Sequence, residues 1–217
     1  MIIRTGGDFL WEGYVERTGD LVLLRNFYKI FIEKWNIKER IIFKLIRWTL
    51  QNVDILIFST EWQRDIFISA YGIDINKTRI VENYYGEKLS SYEPKEKNFI
   101  AGSRALKGKN SDRVRMAFEK AKIINPQLIY DDSTTPHNEF LQKIQNSYAV
   151  ILASLSDISP NTILDAIRCN KPFILTRECG LCDKLKDIAI LVDPENVDDV
   201  TEKILWLSDP VHYEEQK

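Results

Sequence analysis

Residues 149–176 read AVILASLSDISPNTILDAIRCNKPFILT, and this stretch decides the fold class. Its outer segments, AVILAS (149–154) and PFILT (172–176), are almost continuously apolar, which is typical of strands buried on both faces of a parallel sheet. Between them, Ser159 followed by Pro160 indicates a helix start, because proline is well accommodated at the first helical position. The stretch therefore predicts a strand, a helix and a second strand.

The same alternation of short apolar runs and longer amphipathic stretches extends over the whole chain. Strands are predicted at 2–5, 54–59, 78–83, 98–103, 127–131, 149–154, 172–176 and 188–193. Helices are predicted at 22–33, 37–51, 60–71, 110–124, 137–147, 160–169 and 197–207. Alternating β and α elements predict a doubly wound α/β architecture with parallel, Rossmann-like sheets.

A polar segment near 84–97 divides the chain, since it loses periodicity and contains Gly86, two serines and Pro94. The predicted parts are a partial N-terminal domain (1–85), a linker (86–97), a C-terminal domain (98–208) and a tail (209–217). The first part has three strand candidates and opens on a strand with no preceding βα unit, so we expect it to be incomplete.

Composition excludes several classes of protein. The 217 residues include 30 Lys and Arg against 32 Asp and Glu, a balance that does not favour binding to nucleic acid. Three cysteines and two histidines are too few to build a disulfide framework or a four-ligand zinc site on their own. The first residues, MIIRTGGD, do not predict a signal peptide, and no uncharged run approaches the ~18 residues of a membrane span. We therefore expect a cytoplasmic protein.

Cations follow the predicted strand 98–103, in the sequence GSRALKGKN (102–110). Ligands of open α/β sheets bind beyond the carboxyl ends of the strands, so Arg104, Lys107 and Lys109 indicate either a phosphate site or a solvated loop with incidental charge. Neither GxxxxGK[ST] nor GxGxxG occurs. Their absence argues against a P-loop protein and against a hydride-transferring Rossmann enzyme.

Two carboxylates follow the predicted strand 149–154. Asp157 lies in the loop, and Asp165 lies about one and a half turns into the next helix, one turn beyond Asn161. Carboxylates accept hydrogen bonds from hydroxyls, whereas cations and backbone amides bind phosphates. A ligand with both kinds of group would suit this edge of the sheet, although acidic pairs at this spacing also arise by chance.

Together these residues resemble the C-terminal domain of family 4 glycosyltransferases, which are retaining enzymes of the GT-B fold. That family carries an arginine and, five residues later, a lysine after the first strand of the domain, at the positions of Arg104 and Lys109. It also carries E-x7-E followed by K-P, and DISPNTILDAIRCNKP keeps this frame with Asp157 and Asp165. The segments GGDFLWE, FSTEWQRDIFISAYGID and RIVEN resemble the closing half of the family's N-terminal domain.

The resemblance implies transfer of a hexose, with retention, from a nucleoside diphosphate sugar to a saccharide or lipid-linked acceptor. Arg104 and Lys109 would bind the diphosphate and stabilise the charge that grows on the leaving group. Asp157 would bind the transferred sugar, and Asp165 the ribose. The other donor-binding candidates lie on the turn between the two acids: Ser159, Asn161 and Thr162. The resemblance implies no metal cofactor, and no DxD motif occurs.

Departures from the family pattern leave an alternative open. Each Asp-for-Glu exchange shortens the reach by about 1.5 Å, and the half of the N-terminal domain that carries much of the acceptor pocket has no counterpart. The alternative is a non-catalytic nucleotide-sugar-binding subunit, or a partner subunit of a split glycosyltransferase. A homodimer or a separate partner chain would then complete the cleft.

Three further features each allow two interpretations. Residues 25–47 carry seven cations against two acids, which fits a solvated basic face or a peripheral contact with the inner face of an anionic membrane. Cys179 and Cys182 have CxxC spacing and are either structural cysteines or a redox pair. In GGDFLWE, the resemblance implies that Asp8, Trp11 and Glu12 border the interdomain cleft; the alternative is that Trp11 is a packing anchor.

Overall fold

The predicted apolar runs form strands in the structure, a computed structural model that describes residues 1–102 and 106–217. The strands are β1 (Ile2–Arg4), β2 (Ile55–Phe58), β3 (Thr78–Ile80), β4 (Lys97–Ile100), β5 (Leu128–Asp131), β6 (Ala149–Leu152), β7 (Phe173–Thr176) and β8 (Ile190–Val192). They belong to a three-stranded N-terminal sheet of order β1-β2-β3 and a five-stranded C-terminal sheet of order β5-β4-β6-β7-β8. All pairings are parallel, which confirms the predicted α/β fold class.

Strand β6 shows why its sequence is apolar throughout. Ala149 and Ile151 point into a core cluster on one face of the C-terminal sheet, whereas Val150 and Leu152 belong to the cluster on the other face. Successive side chains of a strand point to opposite faces, so burial on both faces requires apolar residues at every position.

Helices cover the longer stretches. They are α1 (Phe9–Thr18), α2 (Leu24–Ile30), α3 (Ile37–Gln51), α4 (Glu61–Tyr71), α5 (Ser111–Ile124), α6 (His137–Asn146), α7 (Asn161–Arg168), α8 (Cys182–Leu185), α9 (Val197–Leu207) and α10 (Pro210–Gln216). The helix predicted at 22–33 is divided: after α2 the chain continues in a separate 3₁₀ turn, Ile32–Lys34.

Helices α1, α8 and α10 are absent from the sequence-based prediction. The side chain of Asp8 starts α1 by accepting from the Trp11 amide at 2.9 Å. The segment 209–217, predicted as a tail, contains α10, and its Tyr213 is buried against Tyr148 with ring centroids 4.1 Å apart. None of the helices in residues 1–102 and 106–217 is long and apolar enough to cross a bilayer.

The N-terminal and C-terminal halves are in contact at two glycines, where side chains of the first half approach the backbone of the second. The ring of Trp11 lies against Gly108, where an added Cβ would be 2.8 Å from the ring. A Cβ on Gly180 would lie 2.2 Å from the Ile158 carbonyl and 2.4 Å from the Thr60 hydroxyl. Any larger residue at these two glycines would therefore force the contact apart.

One apolar side chain crosses from the C-terminal sheet to the core of the other. Leu155, three residues beyond β6, is fully buried in the cluster that covers the N-terminal sheet. Its amide donates to the Gly108 carbonyl at 2.9 Å, which holds the crossing segment against the 3₁₀ turn Lys107–Lys109.

The predicted linker is bound along α7 rather than free. The Leu89 amide donates to the Arg168 carbonyl at 2.7 Å, and the Arg168 Nε donates to the Glu87 carbonyl at 2.9 Å. Further along, Lys171 Nζ donates to the Tyr92 carbonyl at 2.6 Å. These contacts fix the path of the chain between the two sheets.

We expect Leu155→Ala to lower the free energy of unfolding by about 2–5 kcal/mol, because it leaves a cavity in the N-terminal core. Leu45→Ala is the matched control, since that leucine is exposed, and it should change the free energy by less than about 0.5 kcal/mol. Urea denaturation of both variants measures the difference. Equal effects would contradict a structural role for the crossing side chain.

Candidate functional site

A polar cleft of about 590 Å³ opens where the carboxyl ends of the two sheets face each other. Residues 5–8, after β1, and Ser59, after β2, line one wall. Gly102, after β4, and residues 156–162, after β6, line the other. Both walls are thus built from the loops in which open α/β sheets bind ligands.

Lys109 and Asp157 form an ion pair in this cleft. Lys109 Nζ lies 2.8 Å from Asp157 Oδ2, and both side chains are largely screened from solvent. Asp157 is also fixed through its backbone, because its amide donates to the Glu178 carbonyl and its carbonyl accepts from the Gly180 amide, each at 2.9 Å. The predicted cation and carboxylate are therefore brought together, each compensating the other's charge.

The start of α7 faces the same cleft. The residues predicted there, Ser159, Asn161 and Thr162, all line it, and no side chain in the described part of the chain caps this helix. The first-turn amides of a helix lack intrahelical acceptors and carry a partial positive charge. The cleft thus contains hydrogen-bond donors suited to an anion beside the Lys109 ammonium group.

Asp165 lies in an adjoining pocket of about 580 Å³ rather than beside Asp157. The carboxylate is buried and accepts from Arg168 Nη1 at 2.9 Å. The pocket shares Arg4, Asn83 and Asn161 with the cleft, so the two spaces are neighbours. The predicted pair of acids therefore serves two connected pockets.

The described cations of the segment 102–110 have different partners in the structure. Lys107 is directed to α1, because its Nζ donates to the Glu16 carbonyl at 2.9 Å and its amide donates to Glu16 Oε1 at 2.6 Å. Arg104, predicted to act with Lys109, lies outside the described residues. Of the predicted cations, the structure places Lys109 in the cleft.

Asp8 is a buried carboxylate on the opposite wall, where the resemblance placed it, but its contacts were not predicted. Asp8 accepts from the Trp11 amide and, at 2.7 Å, from the Tyr28 hydroxyl, whose oxygen lies 2.7 Å from the Tyr71 hydroxyl. Burial raises the pKa of Asp8 from 3.8 to about 6, although both hydrogen bonds oppose the rise. The two tyrosines are 20 and 63 positions from Asp8, so no local spacing in the sequence indicates this cluster.

Trp11 and Glu12 border the cleft, as expected. Trp11 is also a packing anchor, since it is buried and its Nε1 donates to the Val22 carbonyl at 2.8 Å. Both interpretations of this residue therefore hold.

The CxxC cysteines favour the structural interpretation. Cys179 and Cys182 are both free, and burial raises the pKa of both thiols, that of Cys179 to about 12. A redox pair needs a thiolate, which a raised pKa disfavours. Within residues 1–102 and 106–217, no group of three or more His, Cys, Asp or Glu side chains could hold a metal ion.

No family model and no curated protein matches the chain in sequence. Solved glycosyltransferase structures do match its fold. S. aureus TarM with UDP bound superposes with a TM-score of 0.66 and 16% identity, over 85% of this chain and 42% of TarM. The fold is the GT-B fold. Sucrose-phosphate synthase from Thermosynechococcus elongatus superposes with a TM-score of 0.69 and 12% identity, over 98% of this chain and 65% of the synthase.

Anabaena HepE, in complex with UDP-glucose, gives a TM-score of 0.66 at 11% identity, over 83% of this chain and 60% of HepE. The chain thus spans between 42% and 65% of the lengths of these three proteins. At such identities the likeness establishes the architecture alone.

Asp8 should make stability depend on pH. Its folded pKa lies above its unfolded value, so the folded chain holds a proton that the unfolded chain has released. The stability tied to that proton is present below about pH 4 and is lost as pH rises through about 6, a loss of about 3 kcal/mol. Asp8→Asn keeps a capping oxygen but cannot ionise. We therefore expect its free energy of unfolding, measured with urea, to fall less between about pH 4 and pH 7 than that of the unmodified chain. Parallel pH curves would contradict the assignment.

Proposed function

We propose that the cleft binds a nucleoside diphosphate sugar and transfers its hexose to a hydroxyl of a saccharide or lipid-linked saccharide. One observation carries the proposal: Lys109, Asp157 and the uncapped start of α7 share a polar cleft between the carboxyl ends of two parallel sheets. The GT-B architecture supports it, because solved structures of this fold hold UDP and UDP-glucose.

The diphosphate is assigned to the start of α7 and to Lys109, with Arg104 as the second cation implied by the family resemblance. An ammonium group has three donors, so Lys109 can contact a phosphate oxygen without leaving Asp157. When the bond between sugar and phosphate breaks, negative charge grows on the leaving phosphate. A cation and a helix N-terminus already oriented in the cleft stabilise that charge.

The hydroxyl-bearing ends of the donor are assigned to the two carboxylates. Asp157 would accept from hydroxyls of the transferred sugar through the oxygen that does not contact Lys109. Asp165 would accept from the ribose in the adjoining pocket, where exposed Tyr84 and Tyr85 offer ring faces to the base. A donor that occupies both pockets would thus run along the first turns of α7.

The finer features of the reaction follow the family 4 resemblance. We expect retention of configuration at the transferred carbon and transfer without a metal ion. On the wall that the acceptor would meet, Asp8 and Glu12 border the cleft. Both are hydrogen-bond acceptors suited to an incoming hydroxyl.

Calorimetric titration with UDP, GDP, ADP and their glucose or mannose conjugates tests the donor site. We expect one nucleotide series to bind, and Lys109→Met or Arg104→Ala to weaken it about tenfold to a hundredfold, because a charged hydrogen bond is lost. Lys120→Met is the control, since this exposed lysine on α5 pairs with Asp198. Because Lys109→Met leaves the Asp157 carboxylate unpaired and repelling phosphate, Lys109→Met/Asp157→Asn should regain part of the lost affinity for the free nucleoside diphosphate. Absence of nucleotide binding, or an equal loss with Lys120→Met, would refute the site.

The two carboxylates should be separable by choice of ligand. Asp165→Asn should weaken the nucleoside diphosphate but not inorganic pyrophosphate, which has no ribose. Asp157→Asn should weaken the sugar conjugate more than the diphosphate alone. Loss of pyrophosphate binding in Asp165→Asn would instead show that the pair with Arg168 only maintains the fold. Donor binding without transfer to any acceptor, in the presence or absence of EDTA, would favour the alternative of a non-catalytic partner subunit.

A further inference from the structure

Helix α3 presents an apolar stripe to solvent. Ile37, Ile41, Leu45 and Trp48 are 78%, 53%, 60% and 67% exposed. Their spacing of four, four and three residues places them on one face of the helix. The residues that pack α3 onto the protein, such as Ile42, Ile46 and Leu50, lie on the other face. The four side chains of the stripe therefore do not contribute to the hydrophobic core.

Cations border this stripe on both sides. At 3.6 residues per turn, Lys38 lies along one side and Arg40, Lys44 and Arg47 along the other, and all four are exposed. The only acid in the sequence of α3 is Glu39. It is buried and accepts from Arg17 at 2.7 and 2.9 Å, so it does not face solvent beside the stripe.

Several residues of the basic segment 25–47 are unavailable to a membrane surface. Phe27, Tyr28 and Trp35, which in the sequence contribute to an amphipathic pattern, are buried in the N-terminal core. Arg25 is directed away, since its Nη2 lies 2.6 Å from the buried Glu178 carboxylate. Within α3 the exposed apolar residues extend from Ile37 to Trp48, one position beyond the predicted segment. Ile30 and Ile32, which precede this helix, are exposed as well.

We propose that this face of α3 lies on a lipid bilayer that contains anionic headgroups. Apolar side chains flanked by Lys and Arg, with a tryptophan among them, are typical of helices that lie in the membrane interface. The four cations complement an anionic surface, and each adds to the attraction of the bilayer. The helix has 15 residues and is about 22 Å long, so all four apolar side chains can enter the interface together.

Other occupants fit the face less well. A second copy of the chain would bring its own four cations against these four, and like charges repel. A protein groove that surrounds the whole helix is excluded, because the opposite half of α3 is packed on its own core. A flat anionic surface meets neither obstacle. The inference stands whether or not the cleft binds a nucleotide sugar.

Co-sedimentation of the full chain with vesicles tests the proposal. We expect binding to phosphatidylcholine vesicles that contain phosphatidylglycerol, weaker binding to pure phosphatidylcholine, and loss of the difference as salt is raised from about 0.1 M to 1 M. Equal binding to both kinds of vesicle, or no binding to either, would overturn it.

Substitutions assign the binding to the stripe. Ile41→Gln/Leu45→Gln and, separately, Lys38→Gln/Lys44→Gln should each reduce partitioning about tenfold or more. Ile123→Gln is the control, because Ile123 is an isoleucine on α5 that is more exposed than either substituted residue. Circular dichroism checks that the variants fold, which these exposed positions should allow. Unchanged binding in the stripe variants, or an equal loss in the control, would refute the assignment.

The fluorescence of Trp48 reports how deeply the stripe enters the bilayer. Lipids brominated on the acyl chain should quench the fluorescence of Trp48. Its signal can be isolated in a variant in which the other four tryptophans are phenylalanine, or as the difference between the unmodified chain and Trp48→Phe. Quenching absent from Trp48 would contradict insertion of the stripe. A dimer, detected by light scattering, that dissociates in Ile41→Gln/Leu45→Gln would assign the face to a second copy and so overturn the membrane proposal.

Discussion

Close packing between the two sheets determines the rest of this structure. At Gly108 and Gly180 the absence of a side chain lets Trp11 and Thr60 of the N-terminal half approach the backbone of the C-terminal half. Protein interiors transmit strain rather than absorb it, so such contacts hold two surfaces at a set separation. The carboxyl ends of both sheets consequently face each other across one cleft. Loops that would otherwise be separate surfaces become its opposite walls.

The strands could be predicted from the sequence because burial on both faces leaves a strong signal. Every residue of β6 and β7 is buried, and each is an unbroken apolar run apart from the terminal Thr176. Helix α1 gave a weaker signal, since Gly13 lies within it and glycine is a poor helix former. The short α8 has no side-chain cap that the sequence could show. The terminal α10 does carry a local start signal, with Asp209 capping the Val211 amide ahead of Pro210, and the sequence-based prediction did not use it.

Most of the described residues that line the candidate site, and the sheet edge they share, were predicted from the sequence, whereas their direct contacts were not. Lys109 and Asp157 are 48 positions apart and meet because β4 and β6 are neighbours, with β5 on the far side of β4. Apolar runs indicate where strands are, and they do not give the strand order. The separation of Asp165 from Asp157 into adjoining pockets has the same origin, since it depends on how the segment after β3 lies along α7. Asp8 and its tyrosines likewise meet only through the tertiary fold.

The position of Leu155 also gives the chain an order of assembly. Proteins are synthesised from the N-terminus, and an N-terminal half usually folds while the rest is still on the ribosome. Here the hydrophobic core of that half includes a side chain from beyond β6, so β1, β2 and β3 can pair early while one position of their core stays empty. That position is filled only when residue 155 has been made and β6 has joined its sheet. A ribosome that stalls before this point therefore holds an N-terminal half whose core lacks the Leu155 side chain.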